Sequence, residues 1–456
     1  MSGSLSIPKT DVSVAATIAL LNSLFPPPRP FTIRLWDGTE LPGAAEVSLV
    51  LNHPSALRRM LTPPVELSLG EAYITGDFDL EGDIFAVFPA LDGVNNRSFS
   101  GGELYTLARQ VMALPQAAQE RPLMRGPARL RGRLHSRQRD KAAVQYHYDV
   151  GNDFYGLWLD RNRQYSCAYF GDSVTDLDIA QKRKLEHICG KLRLRPDERL
   201  LEIGCGWGGL VIYAAQNYGV RALGITLSEE QANFANMQIA RLGLSNQASV
   251  KLRDYRDVGT EAFDKIVSVG MVEHVGRRQL AEYFAQAYRH LKPGGLFLNH
   301  GISRRAPWLH RMNTEVELCC TPEMRPARVS GWQKFIDRLI LGTGSFVWRF
   351  VFPDGELIPV SEINIIAEQA GFELRDMENL REHYALTLRQ WVRRLEARQE
   401  KAIELAGEEV YRTWRLYMAA SAYGFECGRI NVNQSLLVKP DAGQSYLPLT
   451  REDLYV

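Results

Sequence analysis

No apolar run in this chain approaches the roughly 20 residues needed to cross a bilayer as a helix. No segment is repeated in tandem or reduced in complexity. Charge of one sign is missing too: 54 Lys and Arg against 53 Asp and Glu leave a formal +1 over 456 residues. That excludes a disordered or strongly nucleic-acid-like composition and leaves electrostatic steering to local patches. Six cysteines, Cys167, Cys189, Cys205, Cys319, Cys320 and Cys427, form no CxxC pair and no disulfide framework, which fits a reducing cytosol. The nearest candidate for a targeting sequence, Val14 to Phe25, has no basic cluster before it and reads as an amphipathic helix opening a domain. The length exceeds one ordinary core, so two domains are expected.

The stretch from Leu200 to Gly209, LLEIGCGWGG, organises what is present. An apolar run ends at Ile203, glycines follow at Gly204, Gly206 and Gly209, and the apolar Leu210 to Ala215 comes next. This reads as strand, tight turn and helix, a corner whose glycines let a cofactor approach the backbone; a plain glycine turn closing a buried strand is the alternative. A dinucleotide enzyme would carry an acidic residue at the tip of the second strand. Here Val220 to Ile225 runs instead into Thr226-Leu227-Ser228-Glu229-Glu230-Gln231. Thr226 with Glu229, and Ser228 with Gln231, both fit a helix capping box. Further on come Asp254-Tyr255-Arg256-Asp257 and an apolar strand from Phe263 whose far end carries Glu273 beside His274.

Taken together, EIGCGWGG, GITLSEEQ, DYRD and FDKIVSVGMVEHVG resemble the successive motifs of a class I S-adenosylmethionine-dependent methyltransferase. More narrowly, they resemble the cyclopropane fatty acid and mycolic acid cyclopropane synthase family. The run from Gln145 to Phe170, QYHYDVGNDFYGLWLDRNRQYSCAYF, carries the most specific likeness, and FPDGELIP (352–359) and the segment from Trp414 to Gln434 continue it. The resemblance covers roughly residues 30 to 440. It implies an α/β fold, a doubly wound Rossmann-like sheet with a smaller N-terminal α+β domain. The expected divisions are an N-terminal lipid-associated domain to residue 120, a linker over 121–145, a catalytic domain over 146–440 and a tail over 441–456.

In the first domain, Phe31 to Trp36 alternates at strand period and Asp37-Gly38 supplies a hairpin turn. The resemblance gives this domain a lipid-presenting or dimer-supporting role; a structural appendage is the alternative. Between Arg121 and Lys141, Arg125, Arg129, Arg131, Arg133, Arg137, Arg139 and Lys141 face only Asp140 as an offset. Such a run is either simply solvated or drawn to anionic headgroups, each basic residue contributing roughly 1 kcal/mol near the surface. Nucleic acid is not expected, because no aromatic platform or recognition motif accompanies the run. Phe154 and Trp158 are expected to be core residues.

The resemblance implies S-adenosylmethionine as cofactor, with Tyr165 and Ser166 touching it, Glu202, Gly204 and Gly206 at the methionine moiety, Thr226, Leu227 and Gln231 by the ribose, and Tyr255 and Arg256 bordering the adenine. It implies a bound bicarbonate as base, held by Cys167, Glu273, His300, the backbone at Ile302 and Tyr384. No HxxxH or HxH spacing supports a metal. The implied reaction moves a methylene carbon to the cis double bond of a phospholipid acyl chain, through a carbocation needing a dry, aromatic-walled site. Tyr165, Tyr169, Phe170, Trp207, Tyr384 and Phe425 are available as walls. A methyl- or methylene-branched product is the alternative within the class, and a non-catalytic lipid-binding module the alternative outside it. The implied setting is a cytoplasmic homodimer at the inner face of the membrane.

Two departures from the family stand out. Its late Ala-Cys-Ala segment reads Ala420-Ser421-Ala422 here, which excludes covalent cysteine catalysis at that position. An insertion spans roughly Arg304 to Ser345, where Trp332, Phe335, Ile336, Leu339 and Ile340 recur at helical spacing, as in a helix facing a bilayer, a dimer partner or its own core.

Overall fold

The computed structural model describes residues 12–44, 46–95, 99–116, 123–148, 150–172, 175–306 and 345–454. The expectations for the helix within the insertion and for Cys319 and Cys320 lie outside the described residues. The chain divides into two compact units. One comprises Met1–Gly126, Glu323–Phe350 and Glu408–Ala420, and the other Pro127–Pro322, Val351–Gly407 and Ser421–Val456.

The smaller unit holds a four-stranded sheet ordered β2-β1-β3-β4, with β1 Thr32–Arg34, β2 Glu40–Leu41, β3 Val47–Leu51 and β4 Phe78–Gly82. The Asp37 carboxylate accepts from both the backbone N–H and the hydroxyl of Thr39 at 2.9 Å, and Gly38 takes φ +88°, which turns β1 back onto β2. Helices Val12–Leu24, Ala56–Met60 and Val65–Ile74 join the sheet. A distant part of the chain completes this unit: Arg415 donates to the Tyr73 hydroxyl at 2.7 Å, and Arg412 pairs with Asp79 at 2.6 Å.

The larger unit is built on a seven-stranded sheet ordered β10-β11-β9-β8-β5-β6-β7. Its strands are β5 Arg199–Ile203, β6 Arg221–Thr226, β7 Ala248–Leu252, β8 Phe263–Val269, β9 Leu291–Arg304, β10 Glu373–Asn379 and β11 Ile430–Val438. Neighbours from β7 to β9 run parallel, while β11 is antiparallel to both β9 and β10. The expected doubly wound α/β sheet is therefore present. From β5 the chain winds outward through β6 and β7, then returns to the other side of β5 as β8, so a crevice opens at the carboxyl ends of β5 and β8.

Its flanking helices follow local rules. The helix Leu177–Leu192 starts at Asp176, whose carboxylate accepts from Ile179 N–H at 2.9 Å, and stops at Arg193 in the left-handed region. Ser228, rather than Thr226, caps Glu229–Arg241 through Gln231 N–H. Within the stretch read as a linker, Arg137–Tyr148 is a helix of the larger unit. Arg137 pairs with Asp257 and Arg139 with Asp354, while Asp140 pairs with Arg256 at 3.0 Å, so part of that basic run ties the helix down. Phe154 and Trp158 are core residues, as expected.

Candidate active site

A cavity opens at the carboxyl ends of β5, β6 and β8. Gly204 and Gly206 form its floor with φ +77° and +51°, a conformation costly for any residue with a Cβ. Gly209 is required for another reason: a Cβ there would stand 2.1 Å from Gln164 Nε2 and 2.3 Å from Asn162 O. The corner thus brings the segment 160–166 against the start of the helix after β5. Tyr165, Ser166, Glu202, Thr226, Leu227, Gln231 and Tyr255 line the cavity as well. Thr226 donates to Gln231 Oε1 at 2.8 Å, which locks the two polar groups together at the rim.

Arg256 alone among the expected cofactor residues does not line this cavity. Its guanidinium is engaged by Asp254 at 2.6 Å and by Asp140, and these hydrogen bonds raise its already high pKa. It therefore fastens the helix Arg137–Tyr148, whose Val144 and Tyr148 form one wall. Arg253, Gln164, Met271 and His274 also line the cavity without having been singled out for it. His274 had a signal in its place at the end of β8, beside Glu273; Gln164 had none.

Beneath the wall lie two buried titratable side chains, Lys184 and Glu202. Lys184, fully buried, donates to Gln164 Oε1 and to Ser166 Oγ, the latter at 3.0 Å. Burial lowers its pKa and raises that of Glu202, whose Oε2 has no hydrogen-bond partner among the described residues.

The residues expected to hold an anion lie on adjoining elements: Glu273 follows β8, His300 and Ile302 are on β9, and Leu380, ahead of Tyr384, bonds to β11. Glu273 lies in the short helix Val272–Val275 after β8, and its Oε1 accepts from Ile302 N–H at 2.5 Å. The Ile302 N–H thus positions the Glu273 carboxylate. Among the described residues, neither Glu273 Oε2 nor His300 Nε2, both buried, has a hydrogen-bond partner. Burial pushes the Glu273 carboxyl up to about 7. Burial, with Lys184 and Lys191 nearby, holds His300 down at about 3. Across β11, Val432 stands opposite Ile302 and its carbonyl accepts from Leu380 N–H at 2.8 Å. Leu380 precedes the helix Arg381–Glu396 that carries Tyr384, whose ring packs 4.6 Å from Phe425. The Cys167 thiol is fully buried, 3.3 Å from Ala168 O and 3.6 Å from Leu380 O, and burial raises its pKa, so it stays a thiol and donates to carbonyls.

Of the other aromatics, Trp207 lines the cavity with Tyr165. Tyr169 is stacked between His187 and His383 and points its hydroxyl at Glu378, 3.3 Å away. Among the described residues, no three His, Cys, Asp or Glu side chains gather as a metal-holding group, and no helix is long and apolar enough to cross a membrane.

Residues 135–435 match the family model described as mycolic acid cyclopropane synthetase. The chain belongs to this family. It is a cyclopropane-synthase-type S-adenosylmethionine-dependent methyltransferase. Residues 18–100 match a domain of unknown function. Over 430 residues the chain is 39% identical to the probable fatty acid methyltransferase of Pseudomonas putida, covering 93% of this chain and 96% of that one. It is 32% identical to the cyclopropane-fatty-acyl-phospholipid synthase of Escherichia coli strain K12, covering 87% and 89%. The crystal structure of mycolic acid cyclopropane synthase CmaA1 with SAH and CTAB superposes with a TM-score of 0.56 at 33% identity, covering 65% of this chain and 97% of that one. As a member of this family the chain is an S-adenosylmethionine-dependent enzyme.

Proposed function

We propose that this methyltransferase delivers the methylene carbon of a cyclopropane ring to the cis double bond of an unsaturated acyl chain, on phospholipid at a membrane surface. The observation that carries the reading is that two polar atoms of residues expected at the anion site, Glu273 Oε2 and His300 Nε2, are buried with no hydrogen-bond partner among the described residues. Buried polar groups without partners are costly, and such a pair in an enzyme is accounted for by a ligand that satisfies both.

When bound, S-adenosylmethionine supplies an electrophilic methyl carbon, and the protein need only fix its approach. Gly204 and Gly206 admit it to the backbone, and the 160–166 segment holds Tyr165 and Ser166 against it. Tyr165, Trp207 and Tyr148 form an aromatic wall, each face able to stabilise positive charge by about 0.5 to 2 kcal/mol. Addition of a methyl cation to an alkene obliges one proton to leave, whichever product forms.

A bicarbonate ion suits the residues available and supplies a small proton acceptor. Ionised Glu273, with Oε1 held by Ile302 N–H, has Oε2 left to accept the hydroxyl of such an anion, while His300 Nε2–H and the Tyr384 hydroxyl are donors for its oxygens. Glu273→Ala is expected to leave cofactor binding near normal by calorimetry while turnover falls at least 100-fold. Turnover in carbon-dioxide-free buffer is expected to drop and to recover on adding bicarbonate; turnover indifferent to it removes the anion from the reading.

A second reading, a methyl- or methylene-branched product, is favoured by the 39% identity to a probable fatty acid methyltransferase. Proton NMR of lipids from cells expressing the protein separates the two, because cyclopropane protons resonate upfield of those on a branch.

A further inference from the structure

His300, Gln434 and Glu378 stand side by side on β9, β11 and β10, in one row across three strands. Gln434 is fully buried, and its Nε2 lies 3.2 Å from His300 Nδ1. A glutamine amide nitrogen carries only hydrogens and can only donate. The imidazole nitrogen facing it must therefore present a lone pair, and a neutral ring with a bare Nδ1 carries its proton on Nε2. Nε2 is the nitrogen buried without a hydrogen-bond partner among the described residues.

We propose that Gln434 is a positioning residue: its amide N–H fixes His300 in the Nε2–H tautomer and bars a second proton from Nδ1, so that His300 presents one neutral donor to an oxyanion. This deepens the anion-base reading and rests on it for the identity of the ligand. A neutral donor matters because an imidazolium would hold the anion more tightly and make it a poorer proton acceptor. It would also supply an acid where a base is needed.

Burial and the cations around His300 act in the same direction. Lys184, Lys191 and His187, from the helix Leu177–Leu192, disfavour a positive imidazole, and Glu378 on β10 favours one. Glu378 is itself engaged by His187 at 2.6 Å and Lys191 at 2.5 Å, which compensates much of its charge locally. The amide is the one neighbour on β11 that contacts the ring nitrogen, and it decides which nitrogen is protonated.

The first test needs no substitution. In full-length protein labelled with 15N-histidine, the His300 signals are identified by their loss in His300→Gln. Between pH 6 and 8 they are expected to show a bare Nδ1 and a protonated Nε2; a protonated Nδ1 overturns the proposal. In Gln434→Glu the carboxylate accepts from Nδ1–H, so the tautomer is expected to reverse. The bicarbonate concentration for half-maximal turnover then rises at least tenfold, with S-adenosylmethionine affinity by calorimetry within twofold of the parent. Gln434→Met, without charge or donor, is expected to give a mixture of tautomers and an intermediate rise. An unchanged tautomer in both variants overturns the assignment. Should the tautomer behave as expected while turnover ignores bicarbonate throughout, the positioning of His300 by Gln434 stands and the anion-base reading falls.

Discussion

Glu273 shows how one buried carboxyl ties chemistry to stability. Burial holds its pKa at about 7, above the ordinary 4.5, so the folded protein keeps a proton that the unfolded chain releases between those values. Its stabilising contribution is full below about pH 4.5 and is lost as pH rises to about 7, at most about 3 kcal/mol by linkage. Glu273→Gln, which carries no charge to bury, is expected to exceed the parent by about 1 to 3 kcal/mol at pH 8 and to match it near pH 4.5. Urea unfolding of the cofactor-free protein at both pH values measures this, and an equal difference at the two excludes burial of charge as the cause. At Gly209 the constraint is space. Gly209→Ala would press a methyl group onto Gln164 and Asn162 O, displacing the wall that carries Tyr165 and Ser166. Cofactor affinity is expected to fall at least tenfold by calorimetry, with only a modest loss in melting temperature.

Among the elements, the helix Arg137–Tyr148 has the most consequence for the site. Its composition is basic and polar, and its apolar contribution to the core is small: Ala143, Val144 and His147 are its buried residues. Ion pairs hold it in place instead, Arg139 with Asp354 and Asp140 with Arg256, and His147 Nδ1 meets Val351 O at 2.8 Å. Because Val144 and Tyr148 form a cavity wall, loosening the helix should show as weaker binding rather than as unfolding. Asp354→Asn is expected to raise the dissociation constant for S-adenosylmethionine several-fold and to increase amide exchange across residues 137–148, with the melting temperature of the sheet little altered. Unchanged exchange there would mean that packing alone holds the helix. The helix Leu177–Leu192 is positioned differently, its buried Gln181, Lys184 and Lys191 lying on one face among polar partners from the 164–166 segment and β10.

For the molecule as a whole, the distribution of basic charge decides whether an anionic surface attracts it. Arg137 and Arg139 are engaged with Asp257 and Asp354, whereas Arg129, Arg131 and Arg133 are exposed. If anionic headgroups are the partner, replacing these three with alanine should weaken binding to phosphatidylglycerol vesicles by roughly 100-fold, about 1 kcal/mol each. Arg137→Ala should have a far smaller effect. Co-sedimentation at rising salt is the measurement, and binding that ignores both salt and the triple substitution excludes an electrostatic role.

Much of this was determined by the sequence alone, because it depends on neighbours in the chain. The glycines of 204–209, the capping pair Ser228 and Gln231 and the apolar strands beside them act within a few residues of each other, so order in the chain is enough to reveal a cofactor corner. Resemblance, not local pattern, named Glu273, His300 and Tyr384 as candidate anion ligands. Other features required the tertiary structure, because they join residues far apart in sequence through single hydrogen bonds or close contacts. Arg256 turns to Asp140 and away from the cavity, Ile302 N–H closes on Glu273, and Arg412 and Arg415 complete a unit that begins more than 300 residues earlier. Gln434 is the sharpest instance: nothing in the run Asn431 to Ser435 distinguishes it from an ordinary strand residue, and only strand register sets its amide against His300. Register is a property of paired strands, and no one strand carries it by itself.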